Sequence, residues 1–104
     1  MSSPEEATTW TFLSNHAQVL LCIARDPDAR IRDIADMVGI AERAAHRIVS
    51  DLIASGYVDR SKVGRRNHYQ LNRDAKMRHI AQADHDIGEL LDTFQLPLEG
   101  RANP

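Results

Sequence analysis

Apolar residues repeat with the 3.6-residue period of a half-buried helix in three successive segments of the chain. The first predicted helix starts at a cap supplied by Ser14 or Asn15 and ends near Arg25, because Pro27 forces the preceding residue out of the helical region. Its apolar positions are Val19, Leu20, Ile23 and Ala24. Residues 9–13 have strand-like composition and predict either a short strand or an extended lead-in.

The second and third predicted helices are joined by a short turn. The second covers about residues 31–38 and ends at Gly39, a residue suited to the left-handed conformation that terminates a helix. The third covers about residues 42–55 and ends at Gly56. It divides into a core face and a polar face. The core face consists of Ala45, Ile48, Val49 and Leu52, and the polar face of Arg43, Arg47, Ser50 and Ala54, with His46 at the flank.

Two short strands and a last helix complete the predicted order. Residues 57–60 and 67–71 alternate with period two, and the segment between them contains Gly64, which predicts a hairpin with a cationic tip. From about Asp74 or Ala75 to Phe94, apolar residues at heptad-like spacing predict a long helix. This apolar stripe is Ile80, Ala83, Ile87, Leu90, Leu91 and Phe94.

Composition sets the broad class of protein. The chain has 104 residues, 42% of them apolar, which suits one soluble domain with a small core. A single cysteine excludes an internal disulfide and, with no visible signal peptide or membrane span, predicts a cytoplasmic location. We expect residues 1–8 and 97–104, which are polar, to be disordered.

Charge is unevenly distributed along the chain. The formal net charge is −2, yet residues 41–78 hold nine basic and four acidic residues, a balance of +5. The remainder of the chain therefore carries −7. A basic segment within an acidic chain predicts one surface for an anionic polymer and another that is kept away from it.

The order of the elements places these cations on a helix and an adjoining hairpin. A helix that enters the DNA major groove, about 12 Å wide, presents side chains to base edges, and arginine can bond both acceptors of guanine. The candidate recognition residues are Glu42, Arg43, His46, Arg47 and Ser50. Candidate contacts to the DNA backbone are Arg30, Arg32, Lys62, Arg65, Arg66, Asn67 and His68.

Residues 13–72 resemble the winged helix-turn-helix of MarR- and ArsR-type bacterial regulators. The resemblance rests on the run from Ile31 to Leu52, on the junction Gly56-Tyr57-Val58-Asp59-Arg60, and on the segment from Val63 to Asn72. It implies a three-helix core with a β-wing, double-stranded DNA as the ligand and usually a homodimer. Members of these families often begin the third helix with a Ser or Thr cap, whereas this chain has Ala41.

These observations together predict a mainly α fold with a small β-wing. We expect a winged helix-turn-helix domain over residues 9–73 and a dimerisation helix over residues 74–96. A three-helix core with a wing is already closed, so the stripe from Ile80 to Phe94 is either further core or, as we favour, a dimer seam, with Trp10 and Phe12 or the first helix contributing.

Other functions receive less support from the sequence. No hydrolase elbow, Walker loop or zincin motif is present, so we expect neither a catalytic residue nor a cofactor. His79, Asp84, His85 and Glu89 invite a metal-sensor hypothesis, but no paired-cysteine motif accompanies them. A winged-helix module that binds another protein through the same surface, or a regulator gated by a small molecule or metal, remains an alternative.

Overall fold

The computed structural model describes residues 10–94, and the expectations of disorder at the two termini fall outside these residues. Four helices and one hairpin follow one another. In chain order they are α1 (Asn15–Arg25), α2 (Ile31–Val38), α3 (Glu42–Ala54), β1 (Val58–Val63), β2 (Arg66–Leu71), a single 3₁₀ turn (Ile80–Gln82) and α4 (Ile87–Phe94). The predicted mainly helical fold with a small antiparallel hairpin is confirmed.

Local signals fix the ends of the first three helices. Ser14 caps α1, because its side-chain oxygen accepts a hydrogen bond from the backbone N–H of Ala17 at 3.1 Å. Gly39 ends α2 with φ +86°, and its N–H donates to the carbonyl of Ala35 at 2.8 Å. Ala41 offers no side-chain cap to α3. Residues 10–14 form no strand; they are irregular, with a bend at Phe12 and Leu13.

The core lies where α1, α2 and α3 meet the base of the hairpin. Each helix contributes buried apolar residues at helical spacing, and the hairpin adds Val58 and Tyr69. The buried residues of the three helices are Val19, Leu20, Ile23, Ile34, Ala35, Ala45, Ile48, Val49 and Leu52. Since α3 uses one face for this packing, its opposite face is left on the surface.

The hairpin is longer and its turn is tighter than predicted. Val63 pairs with Arg66, so Gly64 and Arg65 alone form the turn. Gly64 has φ +68° at the first central position, the conformation for which glycine is favoured in a two-residue hairpin. The N–H of Tyr69 donates to the carbonyl of Pro27 at 2.9 Å, which attaches β2 to the α1–α2 connection.

The predicted long helix over residues 74–94 is wrong in its first half. Only Ile87–Phe94 is α-helical, and residues 74–86 form turns and one isolated bridge between Lys76 and Asp86. The side chain of Asp86 accepts from the N–H of Glu89 at 3.1 Å, which caps the start of α4. Gly88 then packs closely against the chain, its N–H donating to the Arg73 carbonyl at 3.0 Å.

The predicted dimer stripe therefore divides into three environments. Ile87 and Leu91 are 4% and 1% exposed and complete the core, so their assignment to a dimer seam is wrong. Ile80 and Ala83 are exposed but lie on or beside the 3₁₀ turn, outside any α-helix. The two other members are Leu90, which is half-buried, and Phe94, which is exposed.

Helix length also bears on a membrane role. Across the described part of the chain, no helix has both the length and the apolar content needed to cross a bilayer.

Candidate nucleic-acid interface

The outer face of α3 presents the residues that sequence analysis assigned to DNA recognition. Because Ala45, Ile48 and Val49 turn into the core, the positions between them point outward. All five candidates are exposed: Glu42, Arg43, His46, Arg47 and Ser50. Arg43 and Arg47 lie one helical turn apart, so their guanidinium groups emerge from the same side of the helix.

The cations on this face are not neutralised by internal partners. Within residues 10–94, the salt bridges involve His16, His68, Arg73 and His85, and none of them involves Arg43 or Arg47. No hydrogen bond between side chains in this range uses those two guanidinium groups either. Unpaired and solvent-exposed, both side chains are free to meet an anionic partner.

A second cationic cluster forms where the hairpin tip approaches the start of α2. A groove of about 300 Å³ is lined on one side by residues 28–31, which include the carboxylate of Asp28 as well as Arg30, and on the other by Arg65, Arg66 and Asn67. Arg30 and the hairpin residues are more than 30 positions apart in the sequence, and the fold makes them neighbours. The groove also lies at the N-terminus of α2, where the helix dipole favours negative charge.

The antiparallel register divides the remaining hairpin side chains between two faces. Lys62 pairs with Asn67, and Arg60, which precedes Lys62 by two positions on β1, pairs with the buried Tyr69. Paired residues, and residues two apart on a strand, point to the same face, so all four share one face of the hairpin. Arg60 is an exposed cation that sequence analysis left out of the site. The period-two alternation of β1 was the available signal, since it places Arg60 and Lys62 on the same side of the strand.

His68 and Arg66, on the opposite face, are engaged with the α1–α2 connection. The Nδ1 atom of His68 lies 2.7 Å from the Oδ1 atom of Asp28, and Arg66 donates from Nη2 to the backbone carbonyl of Asp28 at 2.9 Å. The ring of His68 is thus paired with a carboxylate in the structure, and its contact with phosphate stays a prediction. Arg66 uses one of its five N–H donors here, which leaves others for an external acceptor.

Two further candidates, Arg32 and Asn67, differ in their relation to this groove. Arg32 is exposed on the first turn of α2 but does not line the groove beside Arg30. Asn67 is half-buried in the groove wall, and its Oδ1 atom has no hydrogen-bond partner among the residues described. The structure thus brings Arg30, Arg65, Arg66 and Asn67 together and leaves Arg32 apart.

The histidine-rich C-terminal part was the place where the sequence raised a metal hypothesis. His85 lies 2.7 Å from Glu89 and 3.6 Å from Asp84, and the Nδ1 atom of His79 instead accepts from the N–H of Ala81. Over the part of the chain that the structure covers, no three His, Cys, Asp or Glu residues are grouped to hold a metal ion.

Three helices, a three-residue turn between the last two of them, and a hairpin packed on the α1–α2 connection define a winged helix-turn-helix domain. In this class of protein α3 occupies the position of the recognition helix and the hairpin that of the wing. Residues 14–59, a little less than half of the chain, match a family model described as winged helix-turn-helix DNA-binding. None of the curated proteins matches the sequence. The family match supports a DNA-binding regulator with double-stranded DNA as its partner.

Proposed function

We propose that the protein is a cytoplasmic, homodimeric transcription regulator that binds a pseudo-palindromic DNA operator, in the manner of the MarR- and ArsR-type regulators it resembles. The recognition helix α3 enters the major groove, and the wing contacts the backbone beside it. Two such units related by a two-fold axis read half-sites about one helical turn apart. The proposal includes no enzymatic activity.

One observation carries this proposal. The outer face of α3 is cationic, exposed and without internal ion-pair partners among residues 10–94. Exposed arginines also occur on ordinary solvated helix faces, but two of them one turn apart, beside a cationic wing, match base readout, in which the bidentate contact to guanine is the commonest specific one. A good bidentate arginine–guanine contact discriminates against other bases by about 1–3 kcal/mol.

The groove between α2 and the wing supplies the other half of the argument. Arg30, Arg65 and Arg66 line it from two elements and outnumber the single carboxylate, that of Asp28, in the same wall. Such a cluster suits a phosphate group, since phosphate contacts fix the register of a protein on DNA without reading sequence. We assign the groove to backbone binding and α3 to base readout.

The test is fluorescence anisotropy with labelled duplexes at two salt concentrations. If two domains contact about 6–10 phosphates, affinity falls by about 10³–10⁵ between 50 and 200 mM salt. Selection of bound duplexes from a random library then supplies the operator. Absence of binding to any duplex at low salt would overturn the proposal and favour a winged-helix module that binds protein.

Three variants separate the two assigned roles. Arg47→Ala should reduce discrimination between the selected operator and random duplex by about 1–3 kcal/mol. Arg65→Ala combined with Arg66→Ala should weaken binding to all sequences and lower the salt slope by about one to two. Lys76→Ala removes an exposed cation outside both surfaces and should leave binding unchanged. If all three variants bind alike, the assignment of surfaces is wrong.

A further inference from the structure

Helix α1 carries a second stripe of residues beside its core face. Gln18, Leu21, Cys22 and Arg25 follow the spacing of one helical face, on which Leu21 and Cys22 are half-buried at the edge of the core. This stripe lines a groove of about 410 Å³, whose other walls are Leu13, Met37 and Phe94. Residues from the lead-in, α1, α2 and α4 therefore surround one cleft.

Large apolar side chains are left exposed in the walls of this cleft, at Met37 and Phe94, and in the lead-in that precedes its wall residue Leu13. Phe12 is 92% exposed, Met37 71%, Trp10 64% and Phe94 43%. Across residues 10–94 only Val63 on the wing and Ile80 on the 3₁₀ turn join them as exposed large hydrophobic residues. We call the set Trp10, Phe12, Leu13, Leu21, Met37 and Phe94 the association patch. Contiguous exposed apolar surface of this kind marks an interface.

The association patch contains both projecting rings and a cleft. The rings of Trp10 and Phe12 pack edge to face with their centroids 5.1 Å apart. Both residues come just before Leu13 in the sequence, and Leu13 lines the cleft. A two-fold interface uses the same surface on both subunits, so that surface must be complementary to itself. The association patch, which offers projecting rings and a cleft, meets this requirement.

The available area is large enough to contribute substantially to a dimer. Aromatic side chains bury about 150–250 Å² each, so the exposed fractions of the three rings leave roughly 300–500 Å² per copy to be covered. A standard interface buries about 800 Å² per partner, and Leu21 and Met37 extend the apolar surface toward that value.

Charges beside the association patch are also self-complementary. A narrower apolar groove continues from the first one and shares Cys22, Arg25 and Met37 with it. Its walls add the carboxylates of Asp26 and Asp33. Because one copy carries both signs at this rim, two copies facing each other can set Arg25 against an acidic residue, whereas a rim of one sign would repel itself.

We propose that two copies of this chain associate through the association patch, with Phe12 of each copy seated in the cleft of the other. The inference rests on the homodimer of the proposed function and deepens it by naming the surface. α1 packs against α3 with its core stripe, so the association patch, which lies beside that stripe, leaves the outer face of α3 open to DNA.

Sedimentation velocity across a range of protein concentrations tests the proposal with matched aspartate variants. The wild type should form dimers, and Phe12→Asp should raise the dissociation constant at least tenfold, as should Met37→Asp. Ile80→Asp places the same charge on a similarly exposed residue outside the association patch and should sediment as the wild type does. Circular dichroism checks that each variant is folded, and Phe12, the more exposed of the two, decides the matter if Met37→Asp unfolds.

Cys22 provides a second measurement, because it is the only cysteine of the chain and lies in the wall of the cleft. Its reaction rate with a maleimide should fall as protein concentration rises, and Phe12→Asp should remove that dependence. A wild type that stays monomeric at protein concentrations of about 100 micromolar overturns the proposal. The proposal is also overturned if the wild type is a dimer that Ile80→Asp dissociates while Phe12→Asp and Met37→Asp do not.

The DNA measurements keep this proposal separate from the proposed function. Folded monomeric Phe12→Asp should bind a single half-site as the wild type does and should lose at least tenfold in affinity for the complete operator. A wild-type dimer that binds no duplex would refute DNA binding alone. A monomer that binds duplex would refute the association patch and the homodimer, and would leave DNA binding itself supported.

Discussion

The carboxylate of Asp28 and the imidazole of His68, 40 residues apart in sequence, meet at 2.7 Å and join the wing to the α1–α2 connection. The neighbouring Arg66 binds the backbone carbonyl of the same aspartate. Asp28 also lines the groove that holds Arg30 and Arg65. A residue that positions the wing therefore places a negative charge beside the proposed phosphate site.

Asp28→Asn should tighten the binding of duplex DNA. The amide oxygen can still accept a hydrogen bond at this position, and the backbone contact from Arg66 does not depend on the side chain. Removing the charge relieves a repulsion that, for unit charges about 4 Å apart in water, is worth about 1 kcal/mol, or about fivefold in affinity. Anisotropy with random duplex at low salt measures the change.

Asp74→Asn is the matched control for this measurement. Asp74 is exposed and follows the hairpin at the end away from its tip, so the same change of charge there should alter affinity much less. Weaker binding by Asp28→Asn would show that the carboxylate contributes more by fixing the wing than it costs by repulsion.

Leu91→Ala should destabilise the folded chain itself. Leu91 is buried against α1 and the rest of the core, and removing a buried leucine side chain costs about 2–5 kcal/mol in the free energy of unfolding. Ile80→Ala, at an exposed position, should change it by less than about 0.5 kcal/mol. Urea unfolding of the two variants measures the difference. Similar, small losses in both would mean that α4 does not complete the core.

The two tyrosines should respond in opposite directions to loss of the hydroxyl group. The hydroxyl of Tyr57 donates to the carbonyl of Lys76 at 2.6 Å, and Tyr57→Phe should cost about 0.5–1.5 kcal/mol in the free energy of unfolding. The hydroxyl of Tyr69 is buried without a hydrogen-bond partner among residues 10–94, so Tyr69→Phe should leave stability unchanged or raise it by up to about 1–3 kcal/mol. A destabilised Tyr69→Phe in thermal unfolding would reveal a partner for that hydroxyl.

Protonation of His85 should depend on Glu89. A hydrogen bond from the ring to the Glu89 carboxylate, with the charges of Glu89 and Asp84, raises the pKa of His85 above its ordinary value of 6.5. Because the pKa is raised in the folded state, the stabilisation is complete below the unfolded value of 6.5 and is lost as the pH rises through the folded pKa. Glu89→Gln should move the pKa back toward 6.5, as followed by NMR titration of the ring protons. An unchanged titration in this variant would assign the shift to another group.

The three-helix core could be predicted because its signals are local. Val19, Ile34 and Ile48 belong to clear helical periods, and Gly39 and Gly56 mark the helix ends at which the structure gives them positive φ. The exposed face of α3 follows from the same periodicity, since a helix that buries one face must present the other.

Heptad spacing misled the prediction beyond Asp74. Ile80, Ala83 and Ile87 have the spacing of one helical stripe. In the structure, however, a new helix begins after the cap Asp86, and Gly88 packs against Arg73; the apolar spacing contains neither fact. The Asp86-to-Glu89 interval was a readable cap signal. The contacts of Asp28 with His68 and of Arg30 with the wing join residues far apart in sequence, and no local pattern contains them.

The two-residue turn at Gly64 and Arg65 sets a simple rule for lengthening the hairpin. Each residue added to both strands extends it by about 3.3 Å, and a single added pair would swap the faces on which the tip side chains point. Insertions of two residues per strand would leave the tip cations on the faces they occupy now. The longer hairpin should then protect a longer stretch of duplex from nuclease digestion. Natural variation or grafted tags at this tip should therefore be tolerated in even steps, because the core ends at Val58 and Tyr69.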